Sequence, residues 1–235
     1  MGCEGMDNLH ALLSMPRFTH LIFDLDGTLA DTKADLAAAT NFMLAALALP
    51  TLTLTQVERF VGEGARVLVA RALGSQRADL VPRGFTLFME YYLAHVLDHT
   101  EPYPGMRELL AAAHAQGLRL SVLTNKPEVP SRAILTGLGL ADFFGALVGG
   151  DTLPVRKPDP QGVHDLQRRT GIDLAATLLI GDSRIDMETG RAAGVSTCGV
   201  TWGFDVEGVR TGAPRFVVDS VPQLATLVLS PGCGR

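Results

Sequence analysis

An α/β fold, a parallel sheet flanked by helices with a smaller all-helical block set in after the first strand, is predicted by three features of the sequence. Short apolar runs of strand length alternate with longer stretches of helical periodicity, the pattern that builds parallel sheets. Several of these runs end abruptly in polar clusters, as Thr19-His20-Leu21-Ile22-Phe23 does at Asp24 and Asp26. Between that first run and Pro102 lie roughly 70 residues with helical spacing and no convincing strand alternation.

The chain has 235 residues, 47% hydrophobic and 19% charged, enough for a sizeable core in one domain or in one domain carrying a small insert. A net charge of -5, from 20 basic and 25 acidic residues, argues against a general nucleic-acid or anionic-membrane partner. It leaves room for a small phosphorylated metabolite in a locally positive pocket. Apolar runs break well before about 18 residues, so no membrane span is expected. Met1 to Pro16 carries Glu4 and Asp7 and lacks a basic region followed by a long apolar core, so it reads as a short flexible extension rather than a secretory signal. Cys3, Cys198 and Cys233 are too few and scattered for a disulfide framework or a thiolate metal site. Cys198 reads as core and the other two as tail residues, a pattern that fits the cytoplasm.

The first strand delivers Asp24 and Asp26 to its carboxyl end, where open α/β folds bind ligands. An extended strand would point the two to opposite sides, but Gly27 permits a turn that brings the second back beside the first. Carboxylates that close need a cation or a shared proton, and a hard ion such as magnesium is the simplest answer. The bland alternative is a strand end punctuated by Asp, which is common in turns. Asp24-Leu25-Asp26-Gly27-Thr28-Leu29 resembles the first motif of the haloacid dehalogenase-like superfamily, mostly magnesium-dependent phosphatases. The resemblance implies a Rossmann-like core, with Asp24 as nucleophile, Asp26 as general acid/base and a magnesium ion held partly by both.

Lys33 to Leu49 has helical spacing ended by Pro50; Thr55 and Glu58 have the form of a capping box. Leu80 to His99 forms a further long helix, whose stripe of Phe85, Phe88, Met89, Tyr92, Leu93 and Val96 reads as packing. Residues 31–101 thus form an expected helical insert, between core segments 18–30 and 102–229, with flexible ends at 1–17 and 230–235. Within the superfamily such an insert resembles the all-helical cap that closes over the core. Gly62 and Gly64 could offer amides to an anion and Arg66 a fork of donors to a carboxylate; a turn and a solvated charge explain them as well. The segment Val61 to Val69 resembles the cap segment of bacterial phosphoglycolate phosphatases, which implies a substrate-binding role for Arg66. Lys33, near the hinge, is a further candidate to reach the cavity.

Glu101-Pro102-Tyr103-Pro104-Gly105 returns the chain to the core and a helix follows through Ala115. Leu118 to Leu123 is the second core strand, with Thr124-Asn125-Lys126 at its end. A hydroxyl and backbone amides there can hold a transferring phosphoryl group. The match to the family's second motif implies Thr124 as phosphate binder, with Asn125 and Lys126 in support. Val129 to Leu138 is helical and Phe143 to Val148 leads into a strand. Lys157, in Lys157-Pro158-Asp159-Pro160, matches the third motif; its ammonium can neutralise nucleophile and phosphate oxygens.

A helix over Gln161 to Arg169 and a strand over Thr177 to Ile180 lead to Gly181-Asp182-Ser183-Arg184-Ile185-Asp186. Asp182 and Asp186, four apart, can face an ion directly or through water, or else serve as a cap and a first-turn acid. The string resembles the fourth motif, which implies both as magnesium ligands. Val195 to Val200 is another strand, Thr201 to Phe204 resembles the loop that ends the phosphoglycolate phosphatase core, Phe216 to Val218 is the last strand and Val221 to Leu229 the last helix.

The resemblance implies hydrolysis of a phosphate monoester through an aspartyl-phosphate, with 2-phosphoglycolate as leading substrate. Another small phosphate or sugar phosphate, a phosphosugar mutase, and a non-catalytic phosphate-binding protein are the alternatives. Dehalogenation is disfavoured, because a halide leaves without the proton that Asp26 would supply. Monomer and homodimer are both open.

Overall fold

The computed structural model describes residues 18–229. The expected extension over 1–17, the tail over 230–235, Cys3 and Cys233 lie outside the described residues. The strands are β1 (His20–Phe23), β2 (Ala30–Asp31), β3 (Glu101–Pro102), β4 (Arg119–Leu123), β5 (Ala146–Val148), β6 (Thr177–Gly181), β7 (Ser196–Val200) and β8 (Phe216–Val218). Six of them form a parallel sheet in the order β5-β4-β1-β6-β7-β8, and β2 pairs with β3 as an antiparallel ribbon.

The near-continuous apolar runs are explained by a sheet buried on both faces. Ile22 points to one side with Leu123 and Leu179, against Val163 and Leu166 of helix Gln161–Thr170. Its neighbours Leu21 and Phe23 point to the other, with Val122 and Ile180, against Leu110 of helix Met106–Ala115 and Leu224 of helix Val221–Val228. The chain runs outward from β1 through β4 to β5, then returns to the opposite flank of β1 as β6. That reversal puts a crevice at the carboxyl ends of β1 and β6, where such folds collect ligands. Cys198 is fully buried in β7, and burial pushes its thiol up to about 12. Among the described residues no helix is long and apolar enough to cross a membrane.

His20, fully buried in β1, has one ring nitrogen 2.9 Å from Ser121 Oγ and leaves Nδ1 without a partner. Burial lowers its pKa from 6.5 to about 4. Between those values the unfolded chain binds a proton that the fold refuses, so this stabilisation is complete above the higher value and is lost as pH falls toward the lower. Urea unfolding should show a loss of about 3 kcal/mol across that window relative to His20→Gln. Parallel curves for the two proteins would remove His20 as the cause.

After β2 come helices Lys33–Ala46, Leu54–Glu58, Ala65–Leu73 and Val81–Ala94, with a 3-10 turn over Ser75–Leu80. Gly84 lets the last of these lie close: a Cβ there would meet Leu73 Cδ1 and Met43 Sδ, each at 3.1 Å. Several local expectations need correction. The capping box is Thr53 with Gln56, two residues earlier than Thr55 with Glu58. The long helix stops at Ala94, before His99, and Leu93 lies on its outer side at 42% exposed. Helix Val206–Thr211 was not expected; Asp205 caps it by accepting from Gly208 N at 2.9 Å.

The two linkers between the helical block and the sheet are tied together. Their ribbon pairs Ala30 with Pro102 and Asp31 with Glu101. Beside it the buried Asp35 carboxylate accepts from His99 N at 3.1 Å, Thr100 N at 2.9 Å and Thr100 Oγ1 at 2.7 Å. Lys33 is drawn into this region by Asp31, 2.8 Å away, and does not line the cavity described next.

Candidate active site

At the end of β1 the backbone turns sharply, and Gly27 takes a φ of 77° that an L side chain tolerates poorly. A Cβ there would also overlap the Asp182 carboxylate. Gly27→Ala should therefore lower stability by more than about 1 kcal/mol and displace Asp182. Urea unfolding would detect the loss of stability; an unchanged midpoint would show that the turn relaxes freely.

Asp24 Oδ1 accepts from Leu25 N at 2.7 Å and its Oδ2 faces Lys157 Nζ at 2.9 Å. The same ammonium donates to Asp186 Oδ1 at 2.6 Å. Asp186 is fully buried at the first turn of helix Arg184–Ala193, where its Oδ2 also accepts from Ser183 N at 3.1 Å and Ser183 Oγ at 2.6 Å. Asp186 thus serves its helix terminus and also faces the acidic cluster. Asp182, at the end of β6, accepts from Thr28 Oγ1 at 3.1 Å and from Phe204 N at 2.7 Å. Trp202 Nε1 donates to Thr28 O at 3.2 Å, so the Thr201–Phe204 loop braces two sides of the cluster.

Asp24, Asp182 and Asp186 each place a carboxylate oxygen within 4.8 Å of the others, all buried. Burial pushes the Asp24 carboxyl up to about 6 against the pull of Lys157. Burial, then Asp24 and Asp186, raise Asp182 well above the usual carboxylate range. Burial opposes charge on Lys157 as well, but Asp186 and Asp24 outweigh it and hold its pKa above the usual lysine range.

Asp26 stands outside that cluster. Thr32 Oγ1 donates to its Oδ1 at 2.6 Å, and Lys126 Nζ donates to Oδ1 at 2.8 Å and Oδ2 at 3.0 Å. Lys126 is buried, and its ammonium lies 4.6 Å from the centre of the Tyr92 ring. Four carboxyl groups thus surround two ammonium groups in a buried site, two more acids than cations. A hard divalent cation with oxygen ligands fits both that excess of acids, whose ionised forms it would stabilise, and the donor set.

The cavity over these groups is lined by Asp24, Asp26, Thr124, Asn125, Lys126 and Asp182 from the sheet side and by Leu36, Gly62, Gly64, Leu68, Phe88 and Tyr92 from the helices. Thr124 Oγ1 accepts from Lys126 N at 3.2 Å. Asn125 Nδ2 donates to Gly62 O at 2.9 Å and Lys157 O at 3.0 Å, which stitches the helical block to the sheet. Arg66 is not brought to this cavity: its guanidinium lies 4.5 Å over the Phe85 ring and lines a separate groove with Arg59, Phe60 and Arg71. Glycine-adjacent position alone could not tell which side of helix Ala65–Leu73 the side chain would take. Tyr92, read from its spacing as packing, does pack in the core, stacked on Phe88, and lines the cavity as well.

A family model described as haloacid dehalogenase-like hydrolase matches residues 21–200. The chain is 38% identical over 211 residues to a phosphoglycolate phosphatase of Neisseria meningitidis, covering 86% of this chain and 90% of the relative. It is 42% identical over 212 residues to a phosphoglycolate phosphatase of Rhodospirillum rubrum, covering 87% and 88%. The crystal structure of a predicted phosphoglycolate phosphatase from Haemophilus somnus superposes with a TM-score of 0.85 at 30% identity, over 89% of this chain and 97% of that one.

Proposed function

The chain belongs to the haloacid dehalogenase-like hydrolases, and from that premise we propose that it hydrolyses 2-phosphoglycolate to glycolate and phosphate with magnesium as cofactor. Phosphatase-type hydrolysis of a small phosphate ester is the activity common to this family assignment and the acidic cluster. One observation carries the finer reading: two aspartates two residues apart occupy different electrostatic surroundings. Asp24 lies in the acidic cluster against Lys157, whereas Asp26 lies outside it on Lys126 and Thr32. Environments that divide a carboxylate pair in this way assign it two roles.

Asp24 attacks phosphorus in line, forming an aspartyl-phosphate as the ester oxygen departs. Asp26 gives that oxygen its proton and then takes one from the water that hydrolyses the intermediate. Lys157 and Thr124, with Asn125 in support, hold the phosphoryl oxygens. Asp24, Asp182, Asp186 and the Asp26 backbone carbonyl would hold magnesium, which supplies positive charge against the transferring phosphoryl group. Residues 31–101 act as the cap that excludes bulk water, with the β2–β3 ribbon as its double hinge.

Initial rates of phosphate release from phosphoglycolate and a panel of small phosphate and sugar-phosphate esters, with magnesium and with metal chelated, test this reading. A strong magnesium-dependent preference for phosphoglycolate is expected. Turnover of other esters with negligible phosphoglycolate activity would overturn the substrate and leave the chemistry.

A further inference from the structure

We propose that Lys126 and Tyr92 together receive the carboxylate of the substrate's leaving group, which makes this pair the determinant of specificity for a phosphorylated two-carbon acid; the proposal rests on the phosphoglycolate reading. The chain has three lysines, all its other Lys and Arg cations being arginine, and two of the three are buried beside this cavity. Lys157 is committed to Asp24 and Asp186, on the side of the transferring phosphoryl group. Lys126 is held on the other side, by the carboxylate of Asp26.

That position matches the chemistry of the leaving group. Asp26 is assigned to the ester oxygen, and in phosphoglycolate one carbon separates this oxygen from the carboxylate. A cation bonded to the acid is therefore one group away from the ester oxygen, where the substrate's second anionic group must lie. Two of the three ammonium hydrogens are accounted for by the Asp26 oxygens at 2.8 and 3.0 Å, and the third is turned toward Tyr92 on the cavity side.

Tyr92 supplies the independent observation. It is 1% exposed, lines the cavity, and its hydroxyl has no hydrogen-bond partner. A buried phenol left unpaired is costly, and an arriving acceptor removes that cost. Its ring lies 4.6 Å from the ammonium, a group that can only donate, so the phenol proton keeps no acceptor and remains available to an arriving anion. Leu36, Leu68 and Phe88 make the adjoining wall apolar, which strengthens a charge-assisted bond formed there. Arg66, the donor fork expected from sequence, is occupied by Phe85 outside this cavity.

The test compares kcat/KM, in magnesium, for phosphoglycolate and for 2-hydroxyethyl phosphate, which replaces the carboxylate by a neutral hydroxymethyl group of similar size. Wild type should favour phosphoglycolate. Lys126→Met should cut that preference by about 10–100-fold, and Tyr92→Phe by roughly tenfold, the latter chiefly through KM. Arg66→Met should leave the ratio where it is. Tyr92→Phe keeps the ring and decides the matter if Lys126→Met fails to fold. Equal losses on both substrates, carried by kcat, would make the pair a support for Asp26 and overturn the proposal while phosphoglycolate remains the substrate. A wild type without preference would overturn the substrate reading and the pair with it.

Discussion

Asp24→Asn should reduce magnesium-dependent phosphate release by at least about 10⁴-fold while leaving the protein folded. An amide of the same shape cannot attack phosphorus, and no other carboxylate shares the contact with Lys157 Nζ from the end of β1. The same change should raise the unfolding temperature of the metal-free protein at pH 7. Burial holds the Asp24 carboxyl up at about 6, so its ionised form is disfavoured by the fold. A raised acid pKa contributes stability while the group is protonated and loses it as pH climbs through the folded value, so the advantage of the amide should shrink at pH 5. Calorimetry at the two pH values reads this directly. Turnover within tenfold of wild type would take Asp24 out of the nucleophile role.

Lys157→Met should have the largest effect on stability. The ammonium lies between Asp24 and Asp186 at 2.9 and 2.6 Å with its side chain 2% exposed, and removing it leaves two buried acids without their shared cation. Loss of one partner from a buried ion pair costs about 3–5 kcal/mol. Magnesium should restore part of that loss, because it supplies positive charge to the same carboxylates. Activity should be lost with or without added metal if Lys157 is, as proposed, the donor to the phosphoryl oxygens. A denaturation midpoint unchanged from wild type would show that the acids can shed their charge at little cost.

These two residues were visible in the sequence because each closes a local pattern. Asp24 breaks a strand-length apolar run, and Lys157 sits in a proline-framed turn that ends before a helix. Thr124 and Asp182 follow strands in the same way, and parallel strands bring their carboxyl ends to one edge whatever lies between them. The pairing of Lys126 with Asp26 had no such signature: the partners are 100 residues apart, and only the adjacency of β1 and β4 joins them. Tyr92 was hidden for a different reason. Helical periodicity reports which side of Val81–Ala94 is apolar, and a tyrosine on that side satisfies the pattern whether its hydroxyl meets core or cavity. Arg66 was misplaced by the same limit, since one step around a helix exchanges a binding fork for a ring contact. The helix through His99 failed at its end because His99 and Thr100 give their backbone N–H groups to Asp35, while His95 and Asp98 close a local turn of their own.

The scarcity of lysine turns the protein into its own reporter. With Lys126 and Lys157 almost wholly shielded and Lys33 about one-third exposed, amine-selective reagents meet very little side-chain amine on the closed molecule. Acylation at Lys126 would then track the fraction of time the helical block stands away from the sheet, and its suppression by a bound ligand would measure closure without a label being introduced. The opening of the proposed cap would thus be written into the modification pattern of a single side chain.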